Sequence, residues 1–334
     1  MREYSADNSC QTATSSKNAK THIDFSVVIP IHNEEESIRE LFNRLTAVLE
    51  SLLNTDKNQP NTFEIIMVDD GSTDSSWQLI KNLHQKDSRL KGISFSRNFG
   101  HHIALTAGLD YAKGDSIVLM DGDLQDPPEE IPVLFGKYKE GYDLVYGIRK
   151  DRQDPLLKKF TSYLFWFLLR KFSGVDIPAG QTMLRIMSRR IVNVVKDMRE
   201  QARFIHGMMA WAGFNVTTLE VKHNPRVKGK SKYNISKMFM LAFHAVTSFS
   251  VVPLRLATFF GLLCSFISIL FGIYFIYKTV IYGIPVLGYA SIIVSIFFVG
   301  GIQLLVLGVF GEYIGRTYQE GQKRPLYIVQ DYLS

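Results

Sequence analysis

Ile117-Val118-Leu119-Met120-Asp121-Gly122-Asp123-Leu124-Gln125 is the stretch on which the fold turns. Four consecutive apolar residues read as a strand buried on both faces. The strand ends in carboxylate, glycine and carboxylate, with an amide two residues further on. Pro127 and Pro128 then forbid its continuation. Oxygens at positions 121, 123 and 125 converge on one side of a turn. Hard ligands of this kind suit Mg²⁺ or Mn²⁺ held by a few protein groups and substrate phosphates. A solvated acidic turn is the plain alternative. An EF-hand loop is excluded, because glycine stands second rather than sixth and two prolines interrupt.

Upstream, the same strand-then-turn pattern recurs three times. Phe25 to Pro30 reads as a buried strand stopped by proline; the loop carrying His32, Asn33 and Glu34 then feeds a helix to about Leu53 with acids in its first turn. Phe63 to Val68 is the next strand. It ends in Asp69-Asp70-Gly71-Ser72-Thr73-Asp74 and leads to a helix through Trp77, Leu79 and Leu83. Helical spacing after good N-cap residues favours strand-turn-helix over an Asp-Gly hairpin. Lys91 to Phe95 is a third strand, and Arg97-Asn98-Phe99-Gly100 turns into a helix carrying Ala104, Ala107 and Gly108. This alternation predicts an α/β fold, a mostly parallel, Rossmann-like sheet with helices on both faces. Ligands on such sheets bind at the carboxyl ends of the strands. The turns at Pro30 to Glu35, Asp69 to Asp74, Arg97 to Gly100 and Asp121 to Gln125 are therefore expected to share one crevice.

Downstream, Tyr142 to Gly147 adds a fifth strand. Leu156 to Lys171 is apolar and aromatic between basic flanks and too short to cross a bilayer. Residues 155–172 are a candidate interface helix, with an ordinary packed helix as the alternative. Gln181 to Arg185 runs on to a helix at Ser188-Arg189-Arg190, and a strand at Val216 to Val221 leads into His223 to Tyr233. That run interleaves basic residues with glycine and serine and, beside a phosphate-type crevice, reads as a phosphate-gripping loop. Residues 234–250 form a second amphipathic candidate.

Leu256 to Tyr277 and Tyr289 to Phe310 are uncharged but for Lys278 at the edge of the first, and long enough to span. The expected division is a disordered tail over 1–22, a globular domain over 23–233, and membrane helices over 251–278 and 289–311. An external loop at 279–288 joins the helices, and a cytoplasmic tail covers 312–334. Arg255, Arg316, Lys323 and Arg324 flank the pair on the outer sides, so the positive-inside rule puts both termini and the globular domain in the cytoplasm.

Composition agrees. The 334 residues are 46% hydrophobic, with the apolar excess piled up from Val251 to Phe310. The net charge of +6 lies in clusters beside apolar segments, which points to an anionic membrane surface or phosphate-bearing ligands. No helix-turn-helix, zinc or aromatic-platform motif accompanies it, so nucleic acid is not expected. Cys10 in a polar tail and Cys264 in an apolar helix argue against a structural disulfide, and the first 22 residues have no apolar core of a secretory leader.

The crevice fits a nucleotide bearing a diphosphate. A cation on Asp121, Asp123 and Gln125 would screen charge on the leaving nucleotide, and Asp69 and Asp70 are placed to accept hydrogen bonds from base or ribose. The membrane part implies a lipid as second substrate, its phosphate gripped by Arg226, Lys230 and Lys232. A phosphate monoester is largely ionised at neutral pH and is already a nucleophile, so positioning and charge screening replace a strong general base.

Four motifs in order carry a family resemblance. They are Val28-Ile29-Pro30 with Asn33-Glu34, Val68 to Asp74, Asp121 to Pro127, and Arg226 with Gly229-Lys230-Ser231-Lys232-Tyr233. With the two spans, they resemble the polyprenyl-phosphate glycosyltransferases of glycosyltransferase family two. The bacterial enzymes that load glucose from UDP-glucose onto undecaprenyl phosphate are the nearer group, and the dolichyl-phosphate mannose synthases the more distant. The resemblance implies a GT-A fold, inversion by direct displacement, Mg²⁺ or Mn²⁺, a UDP-sugar donor, a polyprenyl-phosphate acceptor, a bacterial cytoplasmic membrane and a homotetramer. On it, Pro30, His32, Asn33, Glu34, Asp69, Asp70, Arg97, Gly100, Asp121, Gly122, Lys230 and Ser231 are donor-site candidates. Asp121, Asp123, Arg226 and Lys232 are the catalytic candidates, and Asp121, Asp123 and Gln125 the metal ligands. His32 stands where the family usually has tyrosine, and Gln181 to Leu184 lack the acid that many relatives carry before the arginine equivalent to Arg185. A processive polysaccharide synthase would show Gln-x-x-Arg-Trp, but none of Trp77, Trp166 and Trp211 follows an arginine. An inactive nucleotide-binding membrane scaffold would not need the intact acidic triad.

Overall fold

The computed structural model describes residues 23–53, 62–149, 178, 180–222, 252–282 and 288–334. β1 (Phe25–Ile31), β2 (Phe63–Asp69), β3 (Leu90–Phe95) and β4 (Ser116–Leu119) alternate with α1 (Ile38–Leu53), α2 (Ser76–His84) and α3 (His101–Tyr111). A 3₁₀ turn at Pro128–Glu130 leads into α4 (Ile131–Tyr138). Then come β5 (Leu144–Arg149), β6 (Gln181–Ser188), α5 (Arg189–Asp197), α6 (Ile205–Trp211) and β7 (Val216–Val221). The long helices α7 (Val252–Tyr282) and α8 (Tyr289–Gly321) and the strand β8 (Val329–Leu333) complete the described chain.

All eight strands join one sheet in the order β7-β5-β6-β4-β1-β2-β3-β8. β4, β1, β2 and β3 run parallel, as do β5 and β7. β6 lies antiparallel between β4 and β5, and β8 antiparallel on the β3 edge. Every residue of β1 and β2 is buried, as expected of strands covered on both faces. Alternate side chains separate the two cores. Val27, Ile29 and Ile31 pack with α1 and α4, whereas Val28 joins Ile66, Val68 and the α3, α5 and α6 side. In α1, Ile38, Leu41, Phe42, Leu45, Leu49 and Leu53 form one buried stripe. Each such aliphatic side chain contributes about 1.5–3 kcal/mol by leaving water.

Pro30 sits in a central strand at no cost in pairing. The β4 ladder reaches only Val28, with Met120 N–H donating to the Val28 carbonyl, so no N–H is needed at Pro30 on that side.

α7 and α8 contain the segments Leu254–Tyr274 and Ser295–Gly321, each long and apolar enough to cross a membrane. Their apolar side chains face outward, Phe297 being 77% and Leu304 72% exposed, which is foreign to the core helix of a soluble protein. Residues 312–334, expected as a cytoplasmic tail, carry the end of one helix and an edge strand. α8 continues to Gly321, and β8 returns to the sheet. The interface-helix candidates at 155–172 and 234–250 lie outside the described residues.

Candidate active site

The carboxyl ends of β1 to β4 bring their four turns together, and each pair of turns adjacent in the sheet is fastened by a short polar bond or by a glycine. Asn33 adopts a left-handed φ of 57°, which asparagine tolerates. Its N–H donates to Ser72 Oγ at 3.0 Å, and its side-chain oxygen accepts from Thr73 N–H at 2.8 Å. Glu34 N–H donates to Ser76 Oγ at 3.0 Å. His32 Nδ1 lies 3.1 Å from the Asp70 carbonyl. The first turn is thereby laced to the second.

The second turn is fastened to the third through Asp70. Its buried carboxylate accepts Phe99 N–H at 2.7 Å and Gly100 N–H at 2.9 Å. Burial pushes the carboxyl pKa up, the two N–H groups and His32 work against that, and neighbouring Asp69 adds to it. Asp69 is buried too, accepting from Ser72 N–H at 3.3 Å and Ser94 Oγ at 3.2 Å. Both acids, assigned to base or ribose in the sequence reading, here hold the loops that frame the crevice. Gly71 makes the approach possible. Its φ is +65°, and a Cβ there would meet the Arg97 carbonyl carbon at 2.5 Å. Arg97 lays its guanidinium 4.2 Å from the Phe99 ring centre.

The fourth turn closes on the first. Ser37 Oγ donates to the Gly122 carbonyl at 2.7 Å, and a Cβ on Gly122 would meet Ile31 Cδ1 at 2.7 Å. Along this turn Gly122, Leu124 and Asp126 are buried, while Asp121, Asp123 and Gln125 are part-exposed. The alternation puts all three candidate ligands on the open side; a left-handed Leu124 (φ 59°) makes the bend. Asp123 Oδ1 also accepts Gln125 N–H at 3.1 Å. Among the described residues no three His, Cys, Asp or Glu side chains form a closed metal cage. Two carboxylates and an amide on the part-exposed side of the turn are hard oxygen donors, whose chemistry fits a hard cation with water and phosphate as its other ligands. Arg226, Lys230, Ser231 and Lys232 lie outside the described residues.

One wall of the crevice was missed in the sequence. His101 Nε2 is 3.7 Å from Asp121 Oδ1. Its ring neighbours His102, whose ring centre is 5.5 Å from that of His206. His206 Nδ1 accepts from Arg185 Nη1 at 2.6 Å. Arg185 is fully buried, donates to the Thr182 and Met183 carbonyls and lies 4.9 Å from the Tyr146 ring centre. Burial opposes its charge, and Tyr146, Asp121 and Asp126 offset that. Burial and Arg185 together push all three histidines down, His102 to about 3. At about 3, His102 is a neutral imidazole at ordinary pH. The only signal in the sequence was the His101-His102 pair directly after a strand-end turn.

Residues 26–196 match the family model described as glycosyl transferase family 2. A glycosyltransferase of Synechocystis sp. described as uncharacterized is 41% identical over 310 residues, covering 92% of this chain and 95% of its own. The bactoprenol glucosyl transferase of Shigella phage SfV is 41% identical over 307 residues, covering 92% and 98%. The undecaprenyl-phosphate 4-deoxy-4-formamido-L-arabinose transferase of Shewanella sediminis is 37% identical over 316 residues, covering 93% of each. The chain belongs to glycosyl transferase family 2. It is a glycosyltransferase whose α/β domain is of the GT-A kind, with two apolar helices toward its C-terminus.

Proposed function

We propose that this enzyme transfers a hexosyl group, glucose foremost, from a UDP-sugar to a polyprenyl phosphate such as undecaprenyl phosphate, with inversion at the sugar carbon. The reaction takes place at the cytoplasmic face of a bacterial membrane that α7 and α8 cross. The observation that carries this reading is the union, in one chain, of an interlocked strand-end crevice bearing Asp121 and Asp123 with two helices that expose their apolar side chains. Relatives named for polyprenyl-phosphate chemistry align over more than nine-tenths of the chain. The return of β8 to the sheet keeps the end of α8 beside the catalytic domain, as a hairpin crossing out and back requires.

In this reading Asp121, Asp123 and Gln125 would hold Mg²⁺ or Mn²⁺, which would supply charge screening for the departing diphosphate. The laced turns at His32 to Glu34 and Asp69 to Gly100 shape the nucleotide pocket and keep its backbone N–H groups committed before the donor arrives. Arg226, Lys230, Ser231 and Lys232 receive phosphate groups, and the ionised acceptor phosphate attacks the sugar carbon without a protein base. Several copies assemble as a homotetramer.

The test mixes membranes holding the protein with radiolabelled UDP-glucose, undecaprenyl phosphate and Mn²⁺ or Mg²⁺. Lipid-linked label is the expected result. Label only from GDP-mannose or from a UDP-aminoarabinose derivative would move the donor assignment, and no lipid-linked label from any of them would overturn the reading.

A further inference from the structure

We infer that the strand after the membrane helices is part of the donor site's framework, and that Tyr327 is a positioning residue for the loop Ser96 to Gly100. The inference rests on the function proposed above. That loop joins β3 to α3 and supplies the two N–H groups that hold Asp70. Tyr327 contacts the strand before it and the helix after it. On the β3 side its ring stacks on Phe95, with centres 5.2 Å apart and planes 19° from parallel. Phe95 in turn meets Phe99 edge-on at 5.6 Å. On the α3 side the Tyr327 hydroxyl donates to Asp110 at 2.9 Å, and Arg199 fixes that carboxylate with two bonds of 2.8 and 3.0 Å.

Backbone pairing adds to the grip. Ser96 N–H donates to the Ile328 carbonyl at 3.1 Å, so the β8 arm bonds to the loop's first residue. β8 is itself pinned to α2, with Trp77 Nε1 donating to Asp331 at 3.2 Å. An edge strand serving only to cover the sheet needs its ladder to β3 and nothing more. Here the chain entering that strand reaches past the ladder to Phe95, at the start of the loop, and to Asp110, near the far end of the helix that follows it. Tyr327 touches no reacting atom; it acts through Phe95, Phe99 and Asp70.

The experiment measures steady-state transfer with the full-length protein in detergent or vesicles, varying UDP-sugar and polyprenyl phosphate separately, and measures the melting shift caused by UDP alone. Tyr327→Ala is expected to raise the donor KM about tenfold, the scale of one aromatic contact, with acceptor KM and kcat little changed. Tyr327→Phe keeps the ring and is expected to recover most of the loss. Tyr332→Ala is the control. That residue lies on β8 with its ring 4.9 Å from Tyr111, away from Phe95, so its loss is expected to lower stability without moving the donor KM. Should Tyr327→Ala fail to fold, Tyr327→Leu replaces it. A folded Tyr327→Ala or Tyr327→Leu with an unchanged donor KM and an unchanged UDP melting shift would overturn the inference, as would an equal rise in Tyr332→Ala. The UDP shift does not depend on the acceptor, so failure of the proposed reaction and failure of this inference are read separately.

Discussion

The carboxylate of Asp70 receives the backbone N–H of Phe99 at 2.7 Å, across the gap between two strand-end turns. The Gly100 N–H joins it at 2.9 Å, so one buried acid organises the start of α3. Asp70→Ala leaves two part-buried donors unmet, at up to about 1–3 kcal/mol each. The expected outcome is a lower melting temperature and a donor affinity at least about tenfold weaker. Asp70→Asn keeps one acceptor oxygen and is expected to fall between. Calorimetric titration of UDP into each variant checks the order.

Gly71 admits no side chain. The left-handed φ and the 2.5 Å approach to Arg97 leave a Cβ nowhere to go. Gly71→Ala is expected to cost about 2 kcal/mol or more. That corresponds to a fall of roughly 4–8 °C in melting temperature for a domain of this size. Donor binding is expected to weaken with it, because the displaced loop carries the partners of Asp70.

Asp123 separates chemistry from folding. It is part-exposed on the open side of its turn, so Asp123→Ala is expected to leave stability within about 0.5 kcal/mol of the parent. Transfer is expected to fall at least about a hundredfold if a cation-held diphosphate is the leaving group. Chelation of the parent enzyme is expected to do the same, reversed by Mn²⁺ or Mg²⁺. A variant with undiminished transfer would remove Asp123 from the metal site.

The buried histidines give stability a pH slope of known sign. His102 and His206 have folded pKa values far below the unfolded value near 6.5. Below about pH 6.5 the unfolded chain binds protons that the folded one refuses, so stability falls as the pH falls. The loss grows by up to about 1.4 kcal/mol per pH unit for each histidine and, for His102, continues toward pH 3. His102→Phe removes one of these groups together with a buried ring nitrogen that lacks a hydrogen-bond partner. Its melting temperature between pH 7.5 and 5.5 is expected to fall less steeply than the parent's.

The sequence disclosed those parts of the fold whose cause is local. β1 to β4 are apolar runs ending in turn residues, and each is followed by helical spacing, so the strand-helix alternation and the common edge of the turns could be reasoned out. β6 was not recognised as a strand. Gln181, Thr182 and Arg185 interrupt its apolar run, and only pairing with β4 and β5 places Arg185 indoors. β8 was invisible for a related reason. Val329-Gln330-Asp331-Tyr332-Leu333 is short and polar, as an exposed edge strand should be, and its partner lies more than two hundred residues earlier. Asp69 and Asp70 were found by motif, but their engagement with backbone N–H groups depends on how closely two loops approach, which spacing does not encode. The histidine wall joins α3, β6 and α6, and its members are neighbours only after folding.

The antiparallel pairing of β8 with β3 also sets a clock on biosynthesis. A ribosome adds about 5–20 residues each second, so roughly ten to fifty seconds separate the emergence of β3 from that of its edge partner. Throughout that interval the β3 edge remains uncapped, and both apolar helices are made before its partner strand emerges. A chain released before β8 is made, even one holding every acid of the crevice, therefore leaves the β3 edge without its partner.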